Sequence, residues 1–335
     1  MDDSEAQFSL TRRSQLLWQA LSTSLPSSSE YEAPGTIWVA ADDDEMAEAT
    51  RKLIYLHERN VPSRLLSIGE LAAMEPNLRP GLAGGLLVLE DAVVYPPAVA
   101  LHLALKAKSL GATLLTGHGI THLADGEAHL DDGTTLLAPK LVNATGADAP
   151  FSTPDLPLKK RKGHLAITDR YPGFLHHQLV ELGYLKSAHS LTTDSVAFNV
   201  QPRRTGQVLI GSSRQYGNED PAVDQSLLTA MLERATEYLP SLGALNVLRV
   251  WTGFRAATPD KLPLIGQAPS DPTLWLATGH EGLGITTALA TAELLAAAFT
   301  GIAPAIPPEP YWPARFATAQ HSSDSHSGIP LKEKL

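Results

Sequence analysis

The chain has 335 residues, of which 26 are Lys or Arg and 36 are Asp or Glu, so its formal net charge is −10. An acidic balance of this kind argues against nucleic-acid binding, which needs a basic face. The sequence contains no cysteine, which excludes disulfides, zinc–thiolate sites, iron–sulfur clusters and cysteine nucleophiles. A chain of this length that is 43% hydrophobic predicts a globular protein of about two domains.

The start of the chain and its most apolar segment predict a cytoplasmic protein without an integral membrane segment. Asp2, Asp3 and Glu5 lie at the start, whereas a secretory signal begins with positive charge. Residues 283–304 form the most apolar stretch, but Glu293 lies near its centre. Because a charged side chain is costly inside a membrane, this stretch predicts a buried helix.

Hydrophobic spacing and turn residues predict alternating helices and strands in the first third of the chain. Leucines at helical spacing begin one helix, an acidic start and a basic end mark a second, and a proline pair opens a third. Short apolar runs between the helices predict strands. In chain order these elements are a helix from Ser9, a strand at 36–40, a helix at 43–58, a strand at 81–89 and a helix from Pro96 to Leu110.

A small β meander or hairpin is predicted next. Turn signals occur at the Asp-Gly pairs 125–126 and 132–133, between short alternating runs. Apolar runs at 112–115 and 141–145 predict a strand before and a strand after this excursion. A helix, a strand, a hairpin and a strand in this order are typical of an α/β sheet layer.

The second half of the chain is richer in strand signals. The basic run at 159–162 is interpreted as a solvated loop unless a bound ligand lies beside it, in which case Lys162 is a candidate contact. Pattern and composition predict strands at 164–168, 196–200 and 207–211, a helix at 223–239, strands at 247–254 and 274–277, and a long helix ending near Phe299.

Several motifs with well-defined chemistry are absent. The sequence contains no GxSxG nucleophile elbow, no GxxxxGK[ST] phosphate loop and no HExxH zinc motif. The twelve histidines form no spacing typical of metal ligands, so no metal site is expected.

Two glycine-bearing segments follow each other closely near the C-terminus, WTGFRAATPDKLPLIG at 251–266 and LWLATGHEGLGITTALATAELLA at 274–296. In order, spacing and glycine placement they resemble the D-amino-acid oxidase superfamily of flavoproteins. The glycine/sarcosine oxidase and D-amino-acid dehydrogenase branch is the most similar. Three earlier segments are also similar to this family, and the resemblance extends over most of the chain: 90–114, 123–150 and 197–217.

The resemblance implies a mixed α/β fold and a flavin cofactor. A Rossmann-like FAD-binding domain, incomplete at its N-terminus, would be joined to a β-rich substrate domain. The implied function is an FAD-dependent oxidoreductase that oxidises the amine of a small amino acid by hydride transfer to the flavin. The acceptor that reoxidises the flavin is left open between oxygen and a quinone or carrier.

The resemblance also implies a discontinuous domain organisation. Because flavin-like segments bracket the strand-rich middle, Val142 and Leu276 are expected in one sheet. The FAD-binding domain would comprise 1–30, 91–154 and 255–317, the substrate domain 31–90 and 155–254, and a mobile tail 318–335.

Particular residues acquire roles from the resemblance. Arg255 matches the arginine that binds the substrate's α-carboxylate, although a lone arginine at a strand end more often makes a solvated salt bridge. Glu281 and Leu283 stand where some glycine oxidases carry another arginine, so glycine itself is not singled out as the substrate. His280 is equally consistent with a flavin-edge partner and with a core histidine. The residues expected to contact the flavin are Gly146, Gly279, His280, Glu281, Gly282, Leu283, Gly284, Ile285 and Thr286.

One departure from the family pattern concerns the dinucleotide-binding motif. Family members begin with a strand, a GxGxxG turn, a helix and an acidic residue that binds the ribose, and no GxGxxG occurs in these 335 residues. The alternative interpretation is therefore a non-catalytic or partner-dependent subunit, or a fragment, whose flavin site is completed by a second subunit or an oligomer. On this interpretation the chain alone is expected to bind FAD weakly or not at all.

Overall fold

The computed structural model of the chain describes residues 4–183 and 194–316. They form two compact units. One comprises Ser22–Thr113 and Arg161–Phe254, apart from the undescribed residues 184–193, and the other comprises residues 4–21, Leu114–Lys160 and residues 255–316. The predicted tail at 318–335 lies outside the described residues.

Helices and strands alternate along the chain. The helices are α1 Glu5–Ser22, α2 Asp43–His57, α3 Ile68–Met74, α4 Pro96–Ser109, α5 Ala149–Ser152, α6 Gln225–Tyr238 and α7 Gly284–Thr300. The strands are β1 Thr36–Ala40, β2 Ser63–Leu66, β3 Gly84–Val88, β4 Ile120–Ala124, β5 Glu127–Leu130, β6 Thr135–Leu137, β7 Leu141–Asn143, β8 Lys159–Thr168, β9 Gln178–Glu181, β10 Ser195–Pro202, β11 Val208–Tyr216, β12 Val247–Ala257, β13 Leu264–Ala268 and β14 Asp271–Thr278.

The larger unit is built on an eight-stranded mixed sheet with the order β12-β8-β11-β10-β9-β1-β3-β2. Strand β1 runs parallel to β9 and antiparallel to β3. All five residues of β1 are buried, as its continuous apolar run predicts. Helix α6 packs against β10 and β11, and Phe198 stacks on Tyr238 with ring centroids 4.5 Å apart.

A buried carboxylate joins three elements of this unit. Glu181 at the end of β9 accepts hydrogen bonds from the Phe198 backbone N–H at 2.5 Å and from the Tyr238 hydroxyl at 3.2 Å. It also forms an ion pair with Arg234, which is bonded at its other side to the exposed Glu237. Since a buried charge is tolerated only when it is paired and hydrogen-bonded, this network holds α6 on the sheet.

The smaller unit contains a three-stranded sheet with the order β13-β14-β7 and a separate meander of β4, β5 and β6. Strand β14 runs parallel to β7, with Trp275 opposite Val142 and Leu276 opposite Asn143. The prediction that Val142 and Leu276 share a sheet is therefore confirmed.

Helices α1 and α7 contribute to a hydrophobic core of this unit, in which Leu10, Ile265, Ala290 and Leu294 are buried together. Glu293, the acid in the apolar stretch, pairs with Arg13 of α1, and the hydrogen bond from Arg13 lowers the pKa of Glu293. Within the described chain, one helical segment, 281–300, has the length and apolar composition of a membrane span, and 33% of its most apolar window is buried.

Two local expectations were wrong. Residues 112–115 form no strand and are exposed, because the chain between Gly111 and Gly119 lies on the surface. The basic run at 159–162 is not a loop but the start of β8. There Lys162 is buried and donates to the Ala222 carbonyl at 2.5 Å.

The compact units also differ from the predicted domains at 22–30, 91–113 and 155–160. The first two stretches belong to the larger unit, and the third belongs to the smaller unit. The Tyr95 backbone N–H donates to the Ser29 carbonyl at 2.7 Å, and Arg203 pairs with Glu30 while donating to the Val94 carbonyl. These hydrogen bonds tie the first two stretches to the eight-stranded sheet through the turn after β10. Which unit holds flavin and which holds substrate stays a prediction.

Replacing Glu181 should destabilise the larger unit far more than replacing Glu237. Glu181→Gln leaves Arg234 without its buried counter-charge, at a cost of about 3 kcal/mol. Glu237→Gln removes an exposed partner of the same arginine and should cost less than about 1 kcal/mol. Urea unfolding of the full chain measures both, and equal costs would show that the buried network contributes no more than a surface pair.

Candidate active site

The turn between β14 and α7 carries most of the residues that the sequence singled out. Strand β14 ends at Thr278, Gly279 follows with φ +81°, a single 3-10 turn covers Glu281–Leu283, and α7 begins at Gly284. A Cβ on Gly279 would lie 2.8 Å from Thr258 Cγ2 and 3.4 Å from Leu158 Cδ2. Both the positive φ and the lack of space therefore require glycine here.

Arg255 lies beside this turn. It is a half-buried residue near the end of β12, and a Cβ built on Gly282 would meet its Cδ and Nε at 3.9 Å. Two residues later along β12, Ala257 forms an antiparallel bridge with His280. The bridge fixes the strand end that carries Arg255 next to the turn, so the structure brings the predicted carboxylate-binding residue and the predicted flavin-contacting residues together.

Gly146 joins the same site from β7. It has φ +64°, and its carbonyl accepts a hydrogen bond from the Thr278 hydroxyl at 2.8 Å. Because Thr278 is the last residue of β14, this bond ties the turn after β7 to the turn after β14. The carboxyl ends of parallel strands are where α/β sheets bind their ligands.

Sequence reasoning missed the residue that shapes the turn after β7. The buried Asn143 donates to the Ala149 carbonyl, Ser152 Oγ and Thr153 Oγ1 at 2.9–3.2 Å, and it accepts from the Thr145 backbone and hydroxyl. An Asn that ends a short strand before a polar turn is the signal that marks it.

The N-terminus of α7 lacks a capping side chain and is flanked by exposed apolar side chains. Its N-cap position is Leu283, which has no side chain to accept from the first backbone N–H groups of the helix. Uncapped N–H groups and the helix dipole favour negative charge at such an end. Leu283 and Ile285 are 38% and 52% exposed, so apolar surface flanks these donors.

The neighbouring residues His280 and Glu281 are unusual in different ways, the first in its pKa and the second in its backbone conformation. Burial lowers the pKa of His280 to about 4, so its imidazole is neutral at neutral pH. Its Nε2 lies 2.9 Å from the Thr291 hydroxyl on α7. Glu281 has φ +48°, which is uncommon for a residue with a Cβ.

Helix α1 holds the start of α7 in place through a side-chain hydrogen bond, a role that the sequence did not indicate. The indole N–H of Trp18 donates to the Ile285 carbonyl at 3.1 Å, and Trp18 is 9% exposed. This bond fixes the first turn of α7 against α1, and the Arg13–Glu293 pair fixes the middle of α7.

Alanine substitutions at Gly279 and Gly146 should have unequal effects. In the part of the chain that the structure describes, the new Cβ of Gly146→Ala meets no atom within 4 Å, so the substitution should cost only the strain of a left-handed backbone, about 1 kcal/mol. Gly279→Ala adds a steric clash with Thr258 and should cost about 3 kcal/mol or more. The free energy of unfolding in urea gives both values, and a Gly279→Ala variant as stable as Gly146→Ala would contradict the packing described here.

The comparisons with known proteins identify the family and the fold of the chain. The family model described as "DAO: FAD dependent oxidoreductase" matches residues 1–298. The glycine oxidase of Pseudomonas aeruginosa is 28% identical over 301 residues, which are 85% of this chain and 76% of that protein. The hydrogen cyanide synthase subunit HcnC of the same organism is 27% identical over 276 residues, and the match spans 79% of this chain but only 63% of the subunit.

Solved structures share the fold. The glycine oxidase of Geobacillus kaustophilus superposes with a TM-score of 0.83 at 24% identity, covering 94% of this chain and 85% of its own. Iminodiacetate oxidase from Chelativorans sp. BNC1 superposes with a TM-score of 0.79 at 22% identity, covering 93% and 85%. The fold is therefore mixed α/β, with a Rossmann-like FAD-binding domain and a substrate domain, and the chain belongs to the DAO family of FAD-dependent oxidoreductases.

Proposed function

We propose that this oxidoreductase oxidises the amine of a small amino acid to an imine, which water hydrolyses to the oxo acid and ammonia. The observation that carries the proposal is the position of Arg255 beside Gly282, at the open N-terminus of α7. A guanidinium in this place suits a carboxylate. The relatives named as oxidases of glycine and iminodiacetate support this choice of substrate class.

The residues present fit the ring end of FAD. A Cβ on Gly146 would meet none of the described residues within 4 Å, and Gly282 is exposed, so a flat ligand has room to approach the backbone at both turns. Gly284 and the N–H groups of Ile285 and Thr286 complete this surface, and the buried Gly279 fixes the conformation of the turn. We propose that the unit containing α7 is the FAD-binding domain and that the eight-stranded unit is the substrate domain.

The chain's own residues contribute binding and orientation. Arg255 holds the substrate carboxylate, and this fixes the Cα–H bond and the amine in one orientation. The N-terminus of α7 stabilises negative charge on ligand atoms beside it. FAD, when bound, supplies the two-electron oxidation. The reaction requires no protein nucleophile, in agreement with the absence of hydrolase motifs from the sequence.

An anaerobic reduction experiment tests the proposal. FAD-loaded chain is mixed with glycine, sarcosine or D-alanine, and each is paired with an amine of the same shape that lacks the carboxylate. We expect loss of oxidised-flavin absorbance with at least one amino acid and none with its paired amine. Reduction by the amines alone, or by no amino acid, contradicts the proposal.

Replacing Arg255 should lower turnover of amino acids selectively. Loss of a charge-assisted bidentate contact costs on the order of 2–4 kcal/mol, so kcat/KM of Arg255→Ala should fall by about 30- to 1000-fold. Arg255→Lys keeps the charge without the planar fork and should recover only part of the loss.

Arg249 provides the matched control for this experiment. It is an exposed arginine on the same strand, and its guanidinium lies over the Trp251 ring at 5.6 Å. Arg249→Ala should leave kcat/KM unchanged. If Arg255→Ala behaves like Arg249→Ala, the carboxylate is held elsewhere.

A second candidate is a subunit that works only with a partner. The HcnC relative is named a subunit, and within the described residues β7 has a hydrogen-bonded neighbour on one side only. An open strand edge is able to receive a strand from another chain. Titration of FAD into the purified chain distinguishes the two, because stoichiometric, tight binding by a monomer contradicts dependence on a partner.

We propose the cytoplasm as the site of the reaction. The chain carries a net charge of −10, and the apolar helix that is long enough to span a membrane among the described residues buries a face that includes Ala290 and Leu294. Cell fractionation with an antibody to the chain tests this, and recovery in a detergent-extracted membrane fraction contradicts it.

A further inference from the structure

Two buried threonines one turn apart on α7, Thr287 and Thr291, form hydrogen bonds with the two ends of the 280–283 turn. Thr291 Oγ1 lies 2.9 Å from Nε2 of His280, which begins the turn. The Thr287 hydroxyl donates to the Leu283 carbonyl, which ends the turn, at 2.8 Å. A backbone bond from Leu283 N–H to the His280 carbonyl, at 2.9 Å, closes the turn itself. Thr287 and Thr291 are 1% and 5% exposed, so these bonds form away from water.

The hydrogen bonds of Thr291 determine which imidazole nitrogen carries the proton. Its hydroxyl donates its single proton to the Thr287 carbonyl at 3.0 Å. Towards His280, therefore, Thr291 is an acceptor, and the proton between them belongs to His280 Nε2. The lowered pKa of His280 supports a neutral ring, which leaves Nδ1 as the acceptor nitrogen. Within the part of the chain that the structure describes, Nδ1 has no hydrogen-bond partner.

We propose that Thr291 fixes His280 as the neutral Nε2–H tautomer, and that this bond makes His280 and Thr291 positioning residues for the 280–283 turn. The His280 ring is directed along α7 towards Thr291, so its hydrogen bond stabilises the start of the turn. The backbone bridge from His280 to Ala257 extends this effect to the strand end that carries Arg255. The value of the pair for catalysis rests on the proposed function, but the tautomer and the anchoring do not.

Nitrogen NMR of the full chain tests the proposal without substrate or flavin. Long-range N–H correlations distinguish the two neutral tautomers, and loss of one imidazole signal set in His280→Gln assigns the resonances. We expect Nε2–H at neutral pH in the wild type and in Thr291→Ser, which keeps the hydroxyl. In Thr291→Val we expect Nδ1–H to become populated.

Amide hydrogen exchange measures the anchoring of the turn. We expect exchange at the Leu283 N–H to accelerate by about tenfold in Thr291→Val, the effect of losing one hydrogen bond, and to return to the wild-type rate in Thr291→Ser. Thr300→Val is the control, because Thr300 makes a similar bond to the Ala296 carbonyl at the other end of α7. It should change neither the tautomer nor the exchange rate.

Several results overturn the proposal. A wild-type His280 that is Nδ1–H or doubly protonated at neutral pH contradicts the tautomer assignment, whether or not Thr291→Val folds. A folded Thr291→Val variant that behaves like Thr300→Val contradicts the anchoring. Because neither readout depends on turnover, failure of amino-acid oxidation leaves the inference standing, and failure of the inference leaves amino-acid oxidation standing.

Discussion

The close packing of Gly279 against Thr258 and Leu158 is the contact on which the candidate site depends. It lets β14 end directly against the segment that follows β12, with no side chain between them. Only in that arrangement does His280 pair with Ala257 and does Gly282 lie over Arg255. A side chain at Gly279 would separate the two strand ends and move the guanidinium away from the N-terminus of α7. One positive-φ glycine therefore sets the distance between the strand end that carries Arg255 and the turn before α7.

The electrostatics of the site are local. The chain as a whole is acidic, with a net charge of −10, yet the groups around the turn include a guanidinium, an uncapped helix N-terminus and a neutral imidazole. Partial positive charge at a helix end acts within about one turn, so the acidic remainder of the chain does not cancel it. Such a site suits an anionic carboxylate and an electron-rich ring, although the overall charge would suggest the opposite. The half-buried Glu281 adds a negative group at the same turn.

The 280–283 turn and the start of α7 are held mainly by residues of α1 and α7. Trp18 bonds to the Ile285 carbonyl, and Arg13 neutralises Glu293 farther along α7. An acid in the middle of an apolar helix is thereby explained, since its charge is paired with a cation from α1. Thr287 and Thr291 add hydrogen bonds that reach both ends of the turn. Preorganisation of this kind lowers the ordering cost that ligand binding would otherwise carry.

The sequence by itself determined the local conformations: the glycine turns at 146 and 279–284, the strands at 36–40 and 141–143, and the helix opened by Pro96. Each follows from backbone freedom, side-chain periodicity or a proline, which act over a few residues. Only the tertiary structure decided burial and pairing. It buried Lys162 in a strand, left 112–115 exposed, and joined Trp18 to Ile285 across 267 positions. Such contacts depend on which distant segments pack together. A local pattern of apolar or charged residues does not specify which distant residues will pack against it.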